Sequence, residues 1–335
     1  MTVKEGQIAL ASGDPANWTA TELGGKQALL RELSAEEKAA MAAAGAGQDI
    51  DHGPLVENPV LDRLAAEVRT ILTEGRGIVI LSNLDPAELG ETGFRNAYWQ
   101  LGRRIGQPAV QSERMEWVGL VRQEKDNPYA RGFIQNIELP PHTDVHDLMS
   151  LACVSRASRG GESKFASALA IHDLLAREHP EMLRALYRGY PTGIPANYGV
   201  ENAQVEADED NVPVFCRVDG KVSIFIHGHY MLQYAKANDT QIPQDLADAM
   251  DEMTAISERP EIMLKLMLEP GEMVFWNNRT VLHGRDEFEN DPGHERCLMR
   301  LWLHAPDARP LDPQIARQPV LMDEVHRLVH ERDFA

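Results

Sequence analysis

Short apolar runs separated by glycine and proline dominate the last two-thirds of the 335-residue chain. Eight such runs span residues 117–121, 132–139, 149–154, 162–168, 222–226, 262–268, 273–276 and 297–304. Their lengths suit β-strands and are short for helices. Many short strands with turn signals between them are typical of a sandwich or barrel, so the sequence predicts a mainly β fold of the jelly-roll kind.

Helical patterns flank and interrupt these strands. Helix-forming residues or helical spacing predict helices at 26–44, 59–74, 94–105, 171–187 and 244–257. Ser34, with Glu37 three residues later, can cap a second helix inside the first of these segments. We interpret residues 1–335 as a single domain in which residues 1–75, after a loose leader of some 25 residues, form an N-terminal helical elaboration. The long polar connection at 191–213 is predicted to be a lid over the site.

Composition excludes several classes of partner. A net charge of -19 provides no basic excess to neutralise nucleic acid or an anionic membrane. No apolar run reaches the ~20 residues that a membrane span needs, and no signal peptide is visible. The three cysteines are too few and too widely spread for a disulfide framework. We expect a cytoplasmic protein that binds a small molecule, and the sequence leaves its oligomeric state open.

The triplet His142-Thr143-Asp144 follows two prolines and the apolar run 132–139. Proline disfavours a helix interior and extends the residue before it. In an extended chain the side chains of residues i and i+2 project from the same face. His142 and Asp144 can therefore reach one metal ion, although a single His-X-Asp triplet is weak evidence.

The second half of the chain supplies further polar residues. Residues 269–284 contain a tight turn and a strand followed by His283, and residues 296–303 have the pattern of another strand. Period two places four side chains on one face of that strand: Arg296, Leu298, Arg300 and Trp302. If this face is interior, each arginine needs an anion, because an unpaired buried charge is costly. In the alternative, the opposite face forms the core and both arginines are solvated.

Together these residues resemble the taurine dioxygenase-like family of iron(II), 2-oxoglutarate-dependent oxygenases. The matching parts are His142-Thr143-Asp144, Gly160-Gly161-Glu162-Ser163, Trp276-Asn277-Asn278-Arg279, His283, and Arg296 with Arg300. The resemblance covers roughly residues 55–305 in order. It implies a double-stranded β-helix core, the cofactors Fe(II), 2-oxoglutarate and O2, and the coproducts succinate and CO2.

The resemblance also implies roles for individual residues. His142, Asp144 and His283 look like the three ligands that leave iron positions open for cosubstrate and O2. Arg296 matches the arginine that holds the distal carboxylate of 2-oxoglutarate, and Ser163 stands where relatives often have a threonine that assists it. Arg300 matches a position that meets an acidic group of the substrate. The implied reaction is oxidation, with hydroxylation as the default, of an unactivated C–H bond in a small carboxylate-bearing or amino-acid-like substrate.

Other polar residues near the triplet have two interpretations. His146 and Asp147 can begin a turn or a helix, with Asp147 as a cap, or they can contact a substrate amine. One of Gln135 and Asn136 is expected to face inward and contact substrate, and His229 is a further candidate for the pocket wall.

Two alternatives come from other classes. His227-Gly228-His229 follows a predicted strand, as a cupin-type metal site begins, and would serve a metal-dependent dioxygenase or isomerase without an oxo acid. That site lacks the expected glutamate, since residues 230–233 are Tyr-Met-Leu-Gln. The second alternative is a non-catalytic binding domain with the same fold.

Overall fold

The computed structural model describes residues 5–46, 55–123, 135–193 and 210–334. Its α-helices are α1 (Ala20–Leu23), α2 (Ala35–Gly45), α3 (Pro59–Thr73), α4 (Pro86–Ile105), α5 (Ala168–Glu178), α6 (Pro180–Arg188), α7 (Gly228–Ala237), α8 (Gln244–Ser257) and α9 (Pro313–Asp333). Single 3₁₀ turns lie at Glu5–Ile8 and Lys26–Leu29.

The strands of the first half are β1 (Leu30–Glu32), β2 (Ile78–Ser82), β3 (Gln107–Ala109), β4 (Gly119–Val121), β5 (Leu139–His142), β6 (Leu148–Ser155), β7 (Arg159–Gly160) and β8 (Ser163–Ser167). Those of the second half are β9 (Phe215–Val218), β10 (Lys221–Ile224), β11 (Leu264–Leu266), β12 (Met273–Asn277), β13 (Val281–Arg285), β14 (Phe288–Glu289) and β15 (Cys297–His304).

Two sheets face each other. The larger has seven strands in the order β1-β2-β12-β6-β15-β3, with β4 also paired to β15, and the smaller has the order β11-β8-β13-β5. One apolar cluster contains residues of both sheets, including Met149, Trp276 and Trp302 from the larger and Phe165 and Val281 from the smaller. The predicted jelly-roll core is therefore confirmed.

Helices cover the outer faces of both sheets. Helices α2, α3 and α4 share a core cluster with the larger sheet, and α5, α6 and α8 share one with the smaller sheet. Helix α9 packs beside β9 in a further cluster with Val325 and Val329 at its centre. No helix in the described ranges is long and apolar enough to cross a membrane.

The N-terminal segment differs most from expectation. Residues 26–33, predicted to be helical from propensity, form a 3₁₀ turn and then β1, which pairs in parallel with β2 at the edge of the larger sheet. The expected capping box of Ser34 and Glu37 does begin α2. Trp18, in the expected loose leader, is buried, and its indole donates a hydrogen bond to the Arg76 carbonyl. The first 75 residues thus contribute to the sheet and its core as well as adding helices.

Four further expectations need correction. The predicted helix 171–187 is two helices, which meet at Pro180. The run 222–226 overlaps β10, which within the described ranges pairs with β9 alone, as a hairpin separate from the two large sheets. His227-Gly228-His229 begins α7, a helix that the sequence analysis missed together with α9. In the run 132–139, residues 132–134 lie outside the described ranges, and the strand begins only at Leu139. Most of the predicted lid, residues 194–209, also lies outside them.

Candidate active site

Two adjacent strands of the smaller sheet carry the histidines of interest. β5 and β13 are antiparallel, with His142 opposite His283, and a bulge follows His283. A β-carbon at Gly284 would lie 2.6 Å from the Leu139 carbonyl oxygen, so only glycine allows this approach. The sheet therefore brings together two imidazoles that are 141 positions apart in the chain (283 − 142).

His142, Asp144 and His283 each offer a ligand atom within 4.8 Å of the other two. The His142 Nε2 lies 3.8 Å from Asp144 Oδ1, and the His283 Nε2 lies 3.9 Å from Asp144 Oδ2. The Nδ1–H of His142 donates to the Pro140 carbonyl at 2.8 Å, so its Nε2 carries the free lone pair. Among the described residues this is the group of His, Cys, Asp and Glu side chains that is close enough to hold a metal.

The electrostatics of these three side chains suit a cation. Burial and the neighbouring His142 lower the pKa of His283 to about 3, so its imidazole is neutral at neutral pH. Burial opposes ionisation of Asp144, but neighbouring groups, among them the permanently charged Arg300 guanidinium, outweigh it and hold the pKa of this carboxyl below its usual value. Neutral imidazole and ionised carboxylate are the forms that bind metal.

The turn between β12 and β13 holds the loop that follows His142. The Asn278 side chain donates to the carbonyls of Asp144 at 2.6 Å and His146 at 2.7 Å, and it accepts a hydrogen bond from the Asp144 amide. Arg279 donates to the Asp147 carboxylate at 3.0 Å and to the Val145 carbonyl at 2.6 Å. These bonds fix the backbone that presents Asp144.

Asp147, predicted to contact substrate, is occupied by protein groups. Its carboxylate pairs with Arg279, accepts the Ala305 amide at 2.9 Å and lies 3.1 Å from the His304 Nδ1. Burial opposes ionisation, but the His304 bond and the Arg279 charge hold the pKa of Asp147 below its usual value. The partners of this carboxylate are distant in sequence, so it does not act as the helix or turn cap of the alternative interpretation.

Arg296 is a buried cation with no acidic partner in the described ranges. It is 4% exposed, its Nη1 has no hydrogen-bond partner among the described residues, and burial lowers its pKa to about 10. Its guanidinium lies 5.3 Å from the centre of the Phe288 ring. A β-carbon at Gly161, where φ is +80°, would lie 3.1 Å from its Nε, which explains the glycine there. Ser163, two residues further on, is buried in β8.

Arg300 is also buried, so the alternative in which both arginines are solvated is wrong. Its Nε donates to the Gln111 side chain at 3.0 Å, and its guanidinium stacks over Trp302 at 4.1 Å from the ring centre. Trp302 in turn donates its indole N–H to Asp144 Oδ2 at 2.8 Å. The predicted face of β15 therefore points towards the His142–Asp144–His283 group.

The other predicted substrate residues have contacts with other parts of the protein. His146 is fully buried, stacks on Trp302, and has its Nε2 3.4 Å from an Asp323 oxygen on α9. Gln135 is half-buried and Asn136 is exposed, and their backbone carbonyls accept hydrogen bonds from Arg285 and from the Phe288 amide.

The structure also separates His227 from His229. His229 is exposed on α7, where its Nε2 is 3.4 Å from the Gln233 amide nitrogen. His227 stacks on Tyr230, with ring centres 3.7 Å apart, and follows Ile226, whose backbone bonds to the Thr143 hydroxyl. Neither belongs to a metal-binding group among the described residues, so the cupin-type alternative finds no support.

Several site residues had no role in the sequence analysis. Arg285 donates to the carbonyls of Gln135 and Ile137, and its guanidinium packs 4.8 Å from the centre of the Phe288 ring. Gln111 positions Arg300 from before β4. No local pattern marks these positions, because their partners lie more than 100 residues away.

A jelly roll that brings two imidazoles and one carboxylate to one point is typical of non-haem iron oxygenases. Residues 41–302 match the family described as taurine catabolism dioxygenase TauD, TfdA family. The chain belongs to this family, and it is an Fe(II)- and 2-oxoglutarate-dependent oxygenase that acts on a small substrate. A purely binding domain, the second alternative, is thereby excluded.

Individual relatives differ in what they act on. FR-33289 synthase of Streptomyces rubellomurinus is 26% identical over 259 residues, which cover 74% of each chain. A uridine-5'-phosphate dioxygenase of a Streptomyces species is 30% identical over 168 residues, 47% of this chain and 56% of that protein. The fold is similar to that of asparagine oxygenase in complex with Fe(II), 2S,3S-3-hydroxyasparagine and succinate, with a TM-score of 0.62 and 16% identity over 82% of this chain and 93% of the other.

Proposed function

We propose that His142, Asp144 and His283 hold the Fe(II). The supporting observation is that their donor atoms lie within 4.8 Å of one another, with the His142 tautomer set by the Pro140 carbonyl. Bound there with 2-oxoglutarate and O2, Fe(II) supplies the power to oxidise a C–H bond, with succinate and CO2 as coproducts. Burial by both sheets keeps bulk water from most of the group, since the three side chains are 13–31% exposed.

Arg296 is proposed to bind the distal carboxylate of 2-oxoglutarate, with Ser163 donating a second hydrogen bond. A guanidinium with no acidic partner in its described surroundings is stable only if an anion neutralises it. Phe288 and the close Gly161 both lie against this side chain and limit its movement, which favours a bidentate pair with a planar carboxylate.

For the substrate we propose a small molecule with an anionic group, such as a carboxylate-bearing or amino-acid-like compound, whose anion meets Arg300. Gln111 and Trp302 orient this guanidinium on the wall that also contacts Asp144. Hydroxylation of an unactivated C–H is the proposed outcome. One relative is named for uridine-5'-phosphate, and the similar asparagine oxygenase structure contains 3-hydroxyasparagine. Both molecules carry an acidic group.

Succinate formation tests this function directly. Metal-free protein supplied with Fe(II), 2-oxoglutarate and O2 should release succinate slowly, and faster with a substrate from a panel of amino acids, sulfonates, small carboxylates and nucleoside monophosphates. Asp144→Ala should abolish release, and Asp251→Ala, at an exposed position on α8, is the matched control. Equal succinate release by Asp144→Ala and wild type would refute the ligand assignment.

We also propose a cytoplasmic location and no nucleic-acid partner. Three free cysteines, two of them buried, support a reducing compartment. The net charge of -19 disfavours binding to phosphate backbones. Fractionation of cells that produce the protein tests the location.

A further inference from the structure

Trp302 touches both the proposed metal ligand and the proposed substrate arginine. Its indole N–H donates to Asp144 Oδ2 at 2.8 Å, and the Arg300 guanidinium lies 4.1 Å from its ring centre. The residue is 3% exposed, so water does not compete for the indole hydrogen bond. Trp302 therefore connects Asp144, the proposed metal ligand, with Arg300, the proposed substrate-binding residue.

The indole ring is held in one orientation. His146 stacks on it with ring centres 5.0 Å apart and planes at 20°, and His326 of α9 lies parallel at 6.2 Å. Backbone pairing of β15 with β6 fixes the position of the Trp302 Cα opposite Met149. A ring packed in this way aims its N–H at one place, so the direction of the hydrogen bond is set by the fold.

That hydrogen bond restricts the Asp144 carboxylate. One of its oxygens, Oδ2, accepts the indole N–H and lies 3.9 Å from the His283 Nε2, while the other, Oδ1, lies 3.8 Å from the His142 Nε2. Groups that hydrogen-bond to a ligating carboxylate orient it and raise metal affinity. Without the hydrogen bond from Trp302, the Asp144 carboxylate is free to rotate away from the orientation in which it faces the metal site.

We propose that Trp302 is a positioning residue that holds the Asp144 carboxylate in one orientation for metal binding and links this orientation to Arg300. The proposal rests on the assignment of Asp144 to the metal, and it adds a residue outside the ligand set.

Metal titration tests the proposal without turnover. Metal-free wild type and Trp302→Phe are titrated with Fe(II) under anaerobic conditions and, separately, with Co(II). The phenyl ring keeps most of the packing but removes the N–H, so we expect the metal Kd to rise about tenfold or more. In the Co(II) form, the visible absorption bands should also shift, because the carboxylate changes its coordination.

Trp276→Phe is the matched control. Trp276 is fully buried, with its ring centre 4.9 Å from that of His283, and its Nε1 has no hydrogen-bond partner among the described residues. Trp276→Phe removes the same ring area next to His283, but it does not remove a hydrogen bond to Asp144. We expect the metal Kd of Trp276→Phe to change less than about threefold, which is well below the rise of about tenfold expected for Trp302→Phe. Equal changes in both variants, or no change in Trp302→Phe, would overturn the proposal.

Two further variants keep the outcome unambiguous. If Trp302→Phe does not fold, site-specific β-(3-benzothienyl)alanine at position 302 replaces only the N–H by sulfur, and retention of wild-type metal affinity would refute the proposal. Asp144→Ala tests the underlying assignment. If it binds metal as tightly as wild type, the proposed function fails. If it loses metal while Trp302→Phe keeps it, only the role of Trp302 fails.

Discussion

Arg279 and Arg296 are both buried arginines, but their surroundings differ in kind. Arg279, at the turn after β12, pairs with Asp147 at 3.0 Å and donates to the Val145 carbonyl. Arg296, just before β15, has an aromatic ring and a glycine beside it and no carboxylate partner in the described ranges. A buried charge needs a counter-charge, and the protein supplies one only to Arg279. The comparison indicates that Arg279 stabilises the fold and that Arg296 is available to bind an anionic ligand.

The largest effect is expected at the paired arginine. Arg279→Met leaves the Asp147 carboxylate buried without its cation, and this should lower the free energy of unfolding by about 3–5 kcal/mol. Urea denaturation followed by tryptophan fluorescence measures it. Arg296→Met is the control and should unfold at the same urea concentration as wild type or higher. A loss below about 1 kcal/mol in Arg279→Met would remove the distinction between the two sites.

For cosubstrate binding, the larger effect is expected from replacing Arg296. Arg296→Met should weaken 2-oxoglutarate binding about a hundredfold, close to 3 kcal/mol, because the distal carboxylate loses its charged partner. Calorimetry with Mn(II)-loaded protein under anaerobic conditions measures the Kd. Lys38→Met, at a partly exposed position on α2, controls for the loss of one positive charge. Unchanged affinity in the Arg296 variant would show that the cosubstrate binds elsewhere.

A conservative change sharpens the comparison. Arg296→Lys keeps the charge but not the planar fork, so 2-oxoglutarate affinity should fall only about tenfold. The same titration applies, and the Met and Lys variants should rank in that order. If lysine were as poor as methionine, the geometry of the guanidinium, and not its charge, would account for the binding.

The smallest effect concerns pH and the Asp147 cluster. The hydrogen bond to Asp147 raises the pKa of His304, so the folded state binds this proton more tightly than the unfolded state. Its stabilising contribution is therefore complete below the unfolded pKa of about 6.5 and is lost as the pH rises through the folded value. Because His304 is partly exposed, we expect under about 1 kcal/mol. The difference in unfolding free energy between wild type and His304→Gln should be larger at pH 6 than at pH 8.5, and a difference that grows with pH would contradict this.

The sequence predicted those parts of the site whose geometry is local. His142 and Asp144 are two residues apart, so the period of an extended chain is enough to place them on one face. The same period grouped Arg300 with Trp302, and both are buried and in contact. Arg296 is buried too, but it lies just before β15, and the strand register shifts after Cys297. His283 entered through family resemblance, because nothing local indicates which distant histidine joins a triplet.

The differences between the sequence-based expectations and the structure have physical causes as well. Residues 26–33 contain good helix formers, but backbone pairing with β2 outweighs a propensity of a few tenths of a kcal/mol per residue. Asp147 lies beside the triplet in sequence, but no local pattern indicates its ion pair with Arg279, which comes 132 positions later. A strand was expected before His227-Gly228-His229, and the helix that begins there leaves His229 exposed.

By itself the sequence determined the alternating strands, the local His-X-Asp pair and the family, because each follows from the order and type of neighbouring residues. Only the tertiary structure decided which buried charges have partners, that Trp302 bonds to Asp144, and that Gly284 lets two strands bring His142 to His283. Those contacts join residues more than a hundred positions apart, and their geometry depends on how two twisted sheets and their helices pack together.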